Sequence, residues 1–470
     1  MSDEFTTEWR LHALRPAERM RLSRRAFLGG VSALACLAGA RPAASQEKAS
    51  GRMFYVSPGG NDGNDGSEAR PFASIGAVFA KIPDLGAGDT VVVMPGRYEE
   101  AVTVSRGGDE QAPLTLLSQA PQGALIRSPA GSYSAINVVK SHVVIDGFDV
   151  QSGGTGHGIE ATFLDGDNRN DGPHHVTIRN NVCHDCPGSG ISVSYGDFYL
   201  IENNVCFGNC ATNEYQGSGI SVYAARAVPG EEGVRITVRA NTSYANMAIR
   251  LPGDVPHSDG NGIIIDDLRN TQSKHPAGSY PHRTLVENNL CHGNGGKGVH
   301  VFLSENVTVR NNTCCYNNRD LKNPATWRGE LSNVDSNNVL WINNIAVADL
   351  SVHSANAAIL DASSGGKPSA NVVWMRNLTF AGKPGVESIT QAPANPTLTA
   401  KEPYRNLLGT EPEFVKADPA LQDPDFRLRP RSPAVDAGTV EHGIAQSDRE
   451  GAPRSLGEAP DLGAFETRSA

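Results

Sequence analysis

The sequence predicts an all-β solenoid, a single-stranded right-handed parallel β-helix with a short N-terminal capping helix and an irregular C-terminal cap. Two recurring phrases carry that prediction. The first is an Asn-Asn motif inside β-type runs: Thr177-Ile-Arg-Asn-Asn-Val-Cys183, Leu200-Ile-Glu-Asn-Asn-Val-Cys206, Val286-Glu-Asn-Asn-Leu-Cys291 and Val309-Arg-Asn-Asn-Thr-Cys314. Looser copies stand at Val238–Ser243 and Trp341–Ala346. The second is a Gly-Ile/Val phrase at His157–Ala161, Ser189–Val193, Ser218–Val222, Asn261–Ile265 and Lys297–Val301, alternating with the first. Asn181 to Asn204 and Asn289 to Asn312 are both steps of 23 residues, and the longer steps fit insertions into a common coil. Short alternating strands at such a period stack into a solenoid, in which Asn side chains one coil apart, about 4.8 Å, can form an internal ladder. Helical runs are too scarce for an ankyrin or leucine-rich array, and a propeller needs longer repeats of antiparallel strands.

The elements follow in chain order. Residues 1–45 read as a twin-arginine export signal: Ser23-Arg24-Arg25-Ala26-Phe27-Leu28, an apolar stretch Val31–Ala40, then small residues, with cleavage expected between Ala40 and Gln46. The apolar run is too short for a permanent membrane span, and Cys36 lies in a poor lipobox. The expected location is therefore the periplasm or the exterior. Residues 46–385 are the β-helix with its N-terminal cap, where Ala73–Lys81 reads as a short amphipathic helix covering the first coil. Residues 386–470 are Pro-rich and read as the C-terminal capping segment.

Composition narrows the partners. The 470 residues carry 41 basic and 51 acidic side chains, a net charge of −10. Residues 1–45 hold seven Arg against four acidic residues, which leaves 34 basic against 47 acidic, or −13, for the rest. An acidic body without a basic stripe argues against nucleic acid as a partner. Seven cysteines follow residue 45, an odd number, so any intramolecular pairing leaves one thiol over. Cys183, Cys206, Cys291 and Cys314 share a place in the repeat, with Ser243 between them. That column suits either inter-coil disulfides or a stack of buried thiols.

In a β-helix, equivalent positions of successive coils form columns. With Ile or Val after Gly facing in, the next residue faces out: Glu160, Ser192, Ser221, Ile264, His300. A second outward column is Thr162, Ser194, Tyr223, Asp266, Phe302, and the residue before Gly supplies His157, Ser189, Ser218, Asn261, Lys297. Asn261, Asp266, Asp267, Lys297, His300 and Tyr223 then gather on one face. Asp254-Val-Pro-His-Ser-Asp-Gly-Asn261 adds Asp254, His257 and Asp259. Asp259, Asn261, Asp266 and Asp267 are the candidate ligands for a hard cation, Ca2+ above all; a surface acidic turn is the plain alternative. Asp165–Gly172 and Asn61–Gly66 lack EF-hand spacing and read as solvated loops.

The entry phrase from Phe54, the run Gly88-Asp-Thr-Val-Val-Val-Met-Pro-Gly-Arg-Tyr98, the Asn-Asn coils, and the C-terminal Ser432-Pro-Ala-Val-Asp-Ala-Gly438 with Pro460-Asp-Leu-Gly-Ala-Phe-Glu466 resemble a family. They are similar to secreted β-helix proteins of the pectin-lyase-like superfamily, most closely to chains related to polysaccharide lyase families six and nine, over residues 53–466. The resemblance implies an acidic, uronate-containing polysaccharide as substrate and cleavage by β-elimination. Superfamily members use a lysine base beside calcium, which by analogy marks Lys297, with His300 second and Asp266 as the third catalytic candidate. Tyr223, Arg269, Arg283 and His257 are candidates to hold substrate along coils 214–320, walled by insertions 224–236 and 268–283. Hydrolysis instead needs two carboxylates about 5–9.5 Å apart, for which Asp266 with Asp259 or Asp267 qualifies. The third reading is a non-catalytic carbohydrate-binding solenoid. A monomer is expected. No Gly-x-Ser-x-Gly elbow and no Gly-Lys-Ser/Thr phosphate loop is present.

Overall fold

The computed structural model describes residues 51–163, 172–253, 255–324, 327–364, 368–418, 423–454 and 456–467. The export-signal reading of residues 1–45 lies outside them, as do Asp254 and the acidic loop from Asp165 to Asp171. Arg52–Ala470 forms one unit. Three parallel sheets of eleven, ten and ten strands run its length, and from Thr90–Val93 onward the chain visits them in strict rotation. In one coil, Ile136–Val138 belongs to the second sheet, Val143–Asp146 to the first and Asp149–Ser152 to the third. Ile159–Ala161 then returns to the second sheet beside Ile136–Val138, in parallel register. This is a right-handed parallel β-helix. No helix among the described residues is long and apolar enough to cross a membrane.

The corner between first and third sheets explains the Asn-Asn motif. Its first residue takes the left-handed conformation that turns the chain, as at Asn180 (φ 58°), Asn203 (56°), Asn288 (56°) and Asn311 (52°). Asparagine tolerates that region better than most side chains. The second Asn points inward. Asn181, Asn204, Asn241, Asn289, Asn312, Asn344, Asn377 and Asn406 form an unbroken ladder of side-chain amides 2.9–3.2 Å apart. Each Oδ1 also accepts from the backbone N–H of the ladder Asn one coil earlier, as Asn204 does from Asn181. Each Nδ2 reaches back to a strand carbonyl, as Asn204 does to Ile178. No buried amide valence is wasted.

A second ladder at the corner between third and second sheets escaped the sequence reading. Asn209, Asn246, Asn294 and Asn317 repeat the arrangement at 2.7–2.9 Å. Its signal was present in the chain: each stands five residues after a first-ladder Asn. Glu330 ends this ladder by accepting from both the backbone N–H and the amide of Asn317. The Gly of the Gly-Ile/Val phrase follows from packing. A Cβ on Gly262 would sit 2.6 Å from the Gly298 carbonyl and 2.8 Å from Cys291 Cβ.

The cysteine column is as the register required, with Cys183, Cys206, Ser243, Cys291 and Cys314 side by side. All seven thiols after residue 45 are free and buried, so the column is packing rather than cross-linking. The helix spans Ile75–Lys81, capped by Ser74 Oγ and by Glu100, whose carboxylate accepts from the Ile75 and Gly76 amides. Leu398, Thr397 and Asn406 close the other end. The C-terminal segment does more than cap. It turns back along the outer face of the third sheet, where Phe414, Phe426, Leu428, Leu462 and Phe465 pack with Cys315, Ile345, Val347 and Phe380. There Phe426 joins a stack of rings from successive coils, His184, Phe207, Tyr244 and His292.

Asn289→Ala, which leaves backbone and amide partners on both neighbouring coils unpaired, is expected to lower the unfolding free energy by about 2–4 kcal/mol, read by urea titration. A second expectation concerns pH. Burial raises the Glu330 carboxyl from 4.5 to about 8 despite the two Asn317 donors. The folded chain therefore holds this proton more tightly than the unfolded chain. Its contribution is complete below about pH 4.5 and is lost as pH rises through about 8. Glu330→Gln should flatten that part of a melting-temperature profile taken between those limits; an unchanged slope would assign it to other groups.

Candidate functional site

The second sheet carries the site. Its register aligns Ser192, Ser221, Ile264, His300 and Ser332 in one column, and Ser194, Tyr223, Asp266, Phe302 and Val334 in the next. Both columns are those the Gly-Ile/Val phrase implies. Insertions enter this face from the third sheet (245–262 and 316–328) and leave it toward the first (224–233 and 267–282).

The entering insertions change what the columns present. Lys297 and His300 are not an open face: the residues are 0% and 1% exposed. Lys297 Nζ donates to the Ser258 carbonyl at 2.6 Å and lies 3.8 Å from Asp259 Oδ1. Gln216 pins that lid by accepting from Ser258 N and donating to the Pro256 carbonyl. His300 stacks on Phe302 with ring centroids 5.4 Å apart, and half-buried Trp327 lies over both rings. His257, expected to hold substrate, is buried with Nδ1 2.6 Å from Asp320 Oδ2. The sequence register gave direction correctly, but direction is not exposure: the loops of neighbouring coils roof these positions.

Burial sets the electrostatics. It pushes the Lys297 ammonium below the ordinary lysine range, opposed by Asp259 and reinforced by Arg328. It pushes Asp259 up, opposed by Lys297 and Asn261. The two partners are thus moved toward each other in proton affinity. Asp266, half-buried beside Tyr223, is held well above the carboxylate range by burial first, then by the Asp259 and Asp267 charges, with Gln272 donating to it. Burial and Lys297 keep His300 well below the usual imidazole value.

Two of the four expected cation ligands are committed elsewhere. Asp267 is fully buried and accepts five hydrogen bonds, from the amides of Thr271, Gln272 and Ser273 and the hydroxyls of Thr271 and Ser273. It organises the leaving wall. Asn261 is also fully buried: its oxygen accepts from Lys297 N, and its amide donates to Ser218 Oγ and Asp259. Asp259 and Asp266 remain, with an ammonium beside the first. Calcium takes six to eight oxygens, so this donor set does not fit it.

The expected substrate-holding arginines do not join the cluster. Arg283 is exposed at the start of Arg283–Glu287, a strand of the first sheet. Arg269 sits in the leaving wall and donates to the Asp335 carbonyl. Arg226, unmentioned by the sequence reading, stands on the Tyr223 side of this face. It lies three residues past Tyr223, with its guanidinium 5.3 Å from the centre of the Tyr195 ring, which itself packs edge-on against Tyr223. It is 4% exposed, and its Nε and Nη2 have no hydrogen-bond partner among the described residues. The available signal was Tyr223-Ala-Ala-Arg226 at the mouth of an insertion. Cavities of about 450 and 340 Å3 lie elsewhere, lined by residues such as Tyr316 and Phe414 in one and Asp361 and Asn395 in the other.

No family model matches the chain. An uncharacterized protein of Bacillus subtilis (strain 168), YwoF, is 28% identical over 113 residues, 23% of this chain and 24% of that protein. This chain thus spans about a quarter of the length of that relative. Among solved structures, pectate lyase Pel9A superposes with a TM-score of 0.50 at 20% identity, over 88% of this chain and 96% of that one. A rhamnogalacturonan lyase gives 0.44 at 14%, over 79% and 92%. A lacto-N-biosidase from Eubacterium ramulus gives 0.41 at 15%, over 72% and 57%. At such identities the likeness is one of architecture. The chain has a right-handed parallel β-helix fold, and its likeness to pectate lyase Pel9A is a likeness of fold alone.

Proposed function

We propose that this chain is an exported, monomeric carbohydrate-active enzyme that cleaves an acidic polysaccharide by β-elimination on the second-sheet face, with Lys297 as base. The observation that carries the reading is the Lys297–Asp259 pair, a buried amine pushed toward its neutral form beside a carboxylate pushed toward its own. A lysine acts as a base only when neutral, and burial is the means of making it so near neutral pH. The twin-arginine pattern supports export.

Elimination at a uronate breaks the C–H bond beside the carboxylate, forms a C=C bond and expels the glycosidic oxygen. Three groups are needed. Lys297 takes the proton. A cation must offset the substrate carboxylate, and Arg226 has the N–H donors of Nε and Nη2 to give it. The leaving oxygen needs a proton, and Asp266 is a carboxyl that burial biases to hold one. Substrate reaches Lys297 only when the Ser258 carbonyl is displaced, so the Gln216 bonds set the cost of opening. The raised Asp266 also favours the second reading, in which Asp266 is the acid and Asp259 the second carboxylate of a glycoside hydrolase.

The test is incubation with polygalacturonate, alginate and glycosaminoglycans, following ultraviolet absorbance of unsaturated uronate together with reducing ends. Absorbance that falls by about 100-fold or more in Lys297→Met is the expected result. Reducing ends without absorbance, lost in Asp266→Asn, would move the reaction to hydrolysis; silence in both channels would leave a binding solenoid. Added calcium is expected to change neither signal. A stability measurement gives an independent check. Lys297→Met combined with Asp259→Asn removes both partners of the buried pair, so the double variant's melting temperature should lie near that of the unaltered chain, whereas Lys297→Met alone leaves Asp259 without its partner. A large fall in the double variant would make Lys297 structural.

A further inference from the structure

A second cluster stands apart from the Lys297 cluster, at the corner between second and first sheets. His142, His174 and His175 present ring nitrogens that all lie within 4.8 Å of one another, and all three residues are half-buried. We propose that these three histidines form a binding site for a divalent transition-metal ion, Zn2+ in the first instance.

The backbone makes the gathering unusual. Consecutive strand residues normally point to opposite faces, so His174 and His175 should diverge. His175 instead has φ 54°, which brings its ring beside that of His174, with Nδ1 to Nδ1 at 2.7 Å. His142 occupies the same place one coil earlier, with φ 58°. The next coil meets the same left-handed requirement with Phe198 (50°), and later ones with asparagine, at Asn306 (60°), Asn338 (50°) and Asn371 (54°). Histidine in these two coils therefore asks for a reason beyond the turn.

Ring stacking supplies part of one. His142 stacks on His175 at 4.7 Å, and His175 on Phe198 at 4.1 Å. His174 is outside that stack, set edge-on to both other imidazoles. A third imidazole turned into the pair is what ligation needs and stacking does not. At a distance of 2.7 Å the His174 and His175 nitrogens must share one proton, and a metal ion replaces it. With metal–nitrogen bonds of about 2.0–2.1 Å, tetrahedral ligands stand about 3.3 Å apart, between the 2.7 Å and 4.8 Å found here. Ring rotations of tenths of an ångström to an ångström or so close the site. An all-nitrogen donor set selects zinc or copper over calcium.

The experiment is calorimetric titration of the full chain, without an affinity tag, with Zn2+ and separately with Ca2+. We expect one Zn2+ per chain and no calcium at this site. His174→Ala, outside the stack, and His142→Asn, the residue other coils use at that turn, should each weaken zinc by at least about 10-fold, the scale on which even outer partners of a metal-bound imidazole act. Both should melt near the temperature of the metal-free parent chain, and Lys297→Ala should bind zinc as the parent does. No zinc binding, binding indifferent to both histidine substitutions, or binding that depends on Lys297 would each overturn the proposal.

Discussion

One corner governs this molecule. Where the coils from Asn181 onward pass from the first sheet to the third, a left-handed residue turns the chain and the next residue buries an amide whose every valence is used by the coils before and after. That bond set fixes the rise between coils and the register of all three sheets together. A buried amide in the wrong register would leave donors unpaired at about 1–3 kcal/mol each, a penalty repeated eight times along the stack. Cys183, Cys206, Cys291 and Cys314 follow two or three residues later and inherit the same alignment. Their thiols pack without cross-links, because hydrogen bonding has already done the work of holding adjacent coils.

With the coils fixed, variation is confined to the other two corners. Long insertions leave and enter the second sheet there, and chemistry-bearing side chains concentrate beneath them. The roof over Lys297 is built from neighbouring coils: Ser258 from one insertion, Asp320 and Trp327 from the next. Desolvation under that roof turns ordinary strand residues into groups with displaced proton affinities. The price appears as buried polar atoms without partners, Arg226 among them.

The side chains also divide by task. Asp267 and Asn261 look like ligands in sequence, yet every polar atom they own is spent on holding walls and strands. Asp259 and Asp266 carry far fewer hydrogen bonds than Asp267. The three histidines lie at the opposite edge of the same sheet from the Ser258 roof, on nitrogen chemistry rather than oxygen. Two polar clusters of different donor type thus share one scaffold without sharing residues.

By itself the sequence determined what repeats. The 23-residue steps, the Asn-Asn pairs and the Gly-Ile/Val phrase are local patterns, and they named the fold, the first ladder, the thiol column and the outward columns through Tyr223, Asp266 and His300. The second ladder, five residues beyond the first, was equally legible and went unread. Tertiary structure alone decided what the insertions do, because a roof depends on where loops of different coils meet and no periodicity encodes that. It buried Lys297 and His300, took Asp267 and Asn261 out of the cation set, placed Arg283 on another sheet and brought in Arg226. It also joined His142 to His174 and His175, 32 and 33 residues away in sequence but one strand spacing away in the stack.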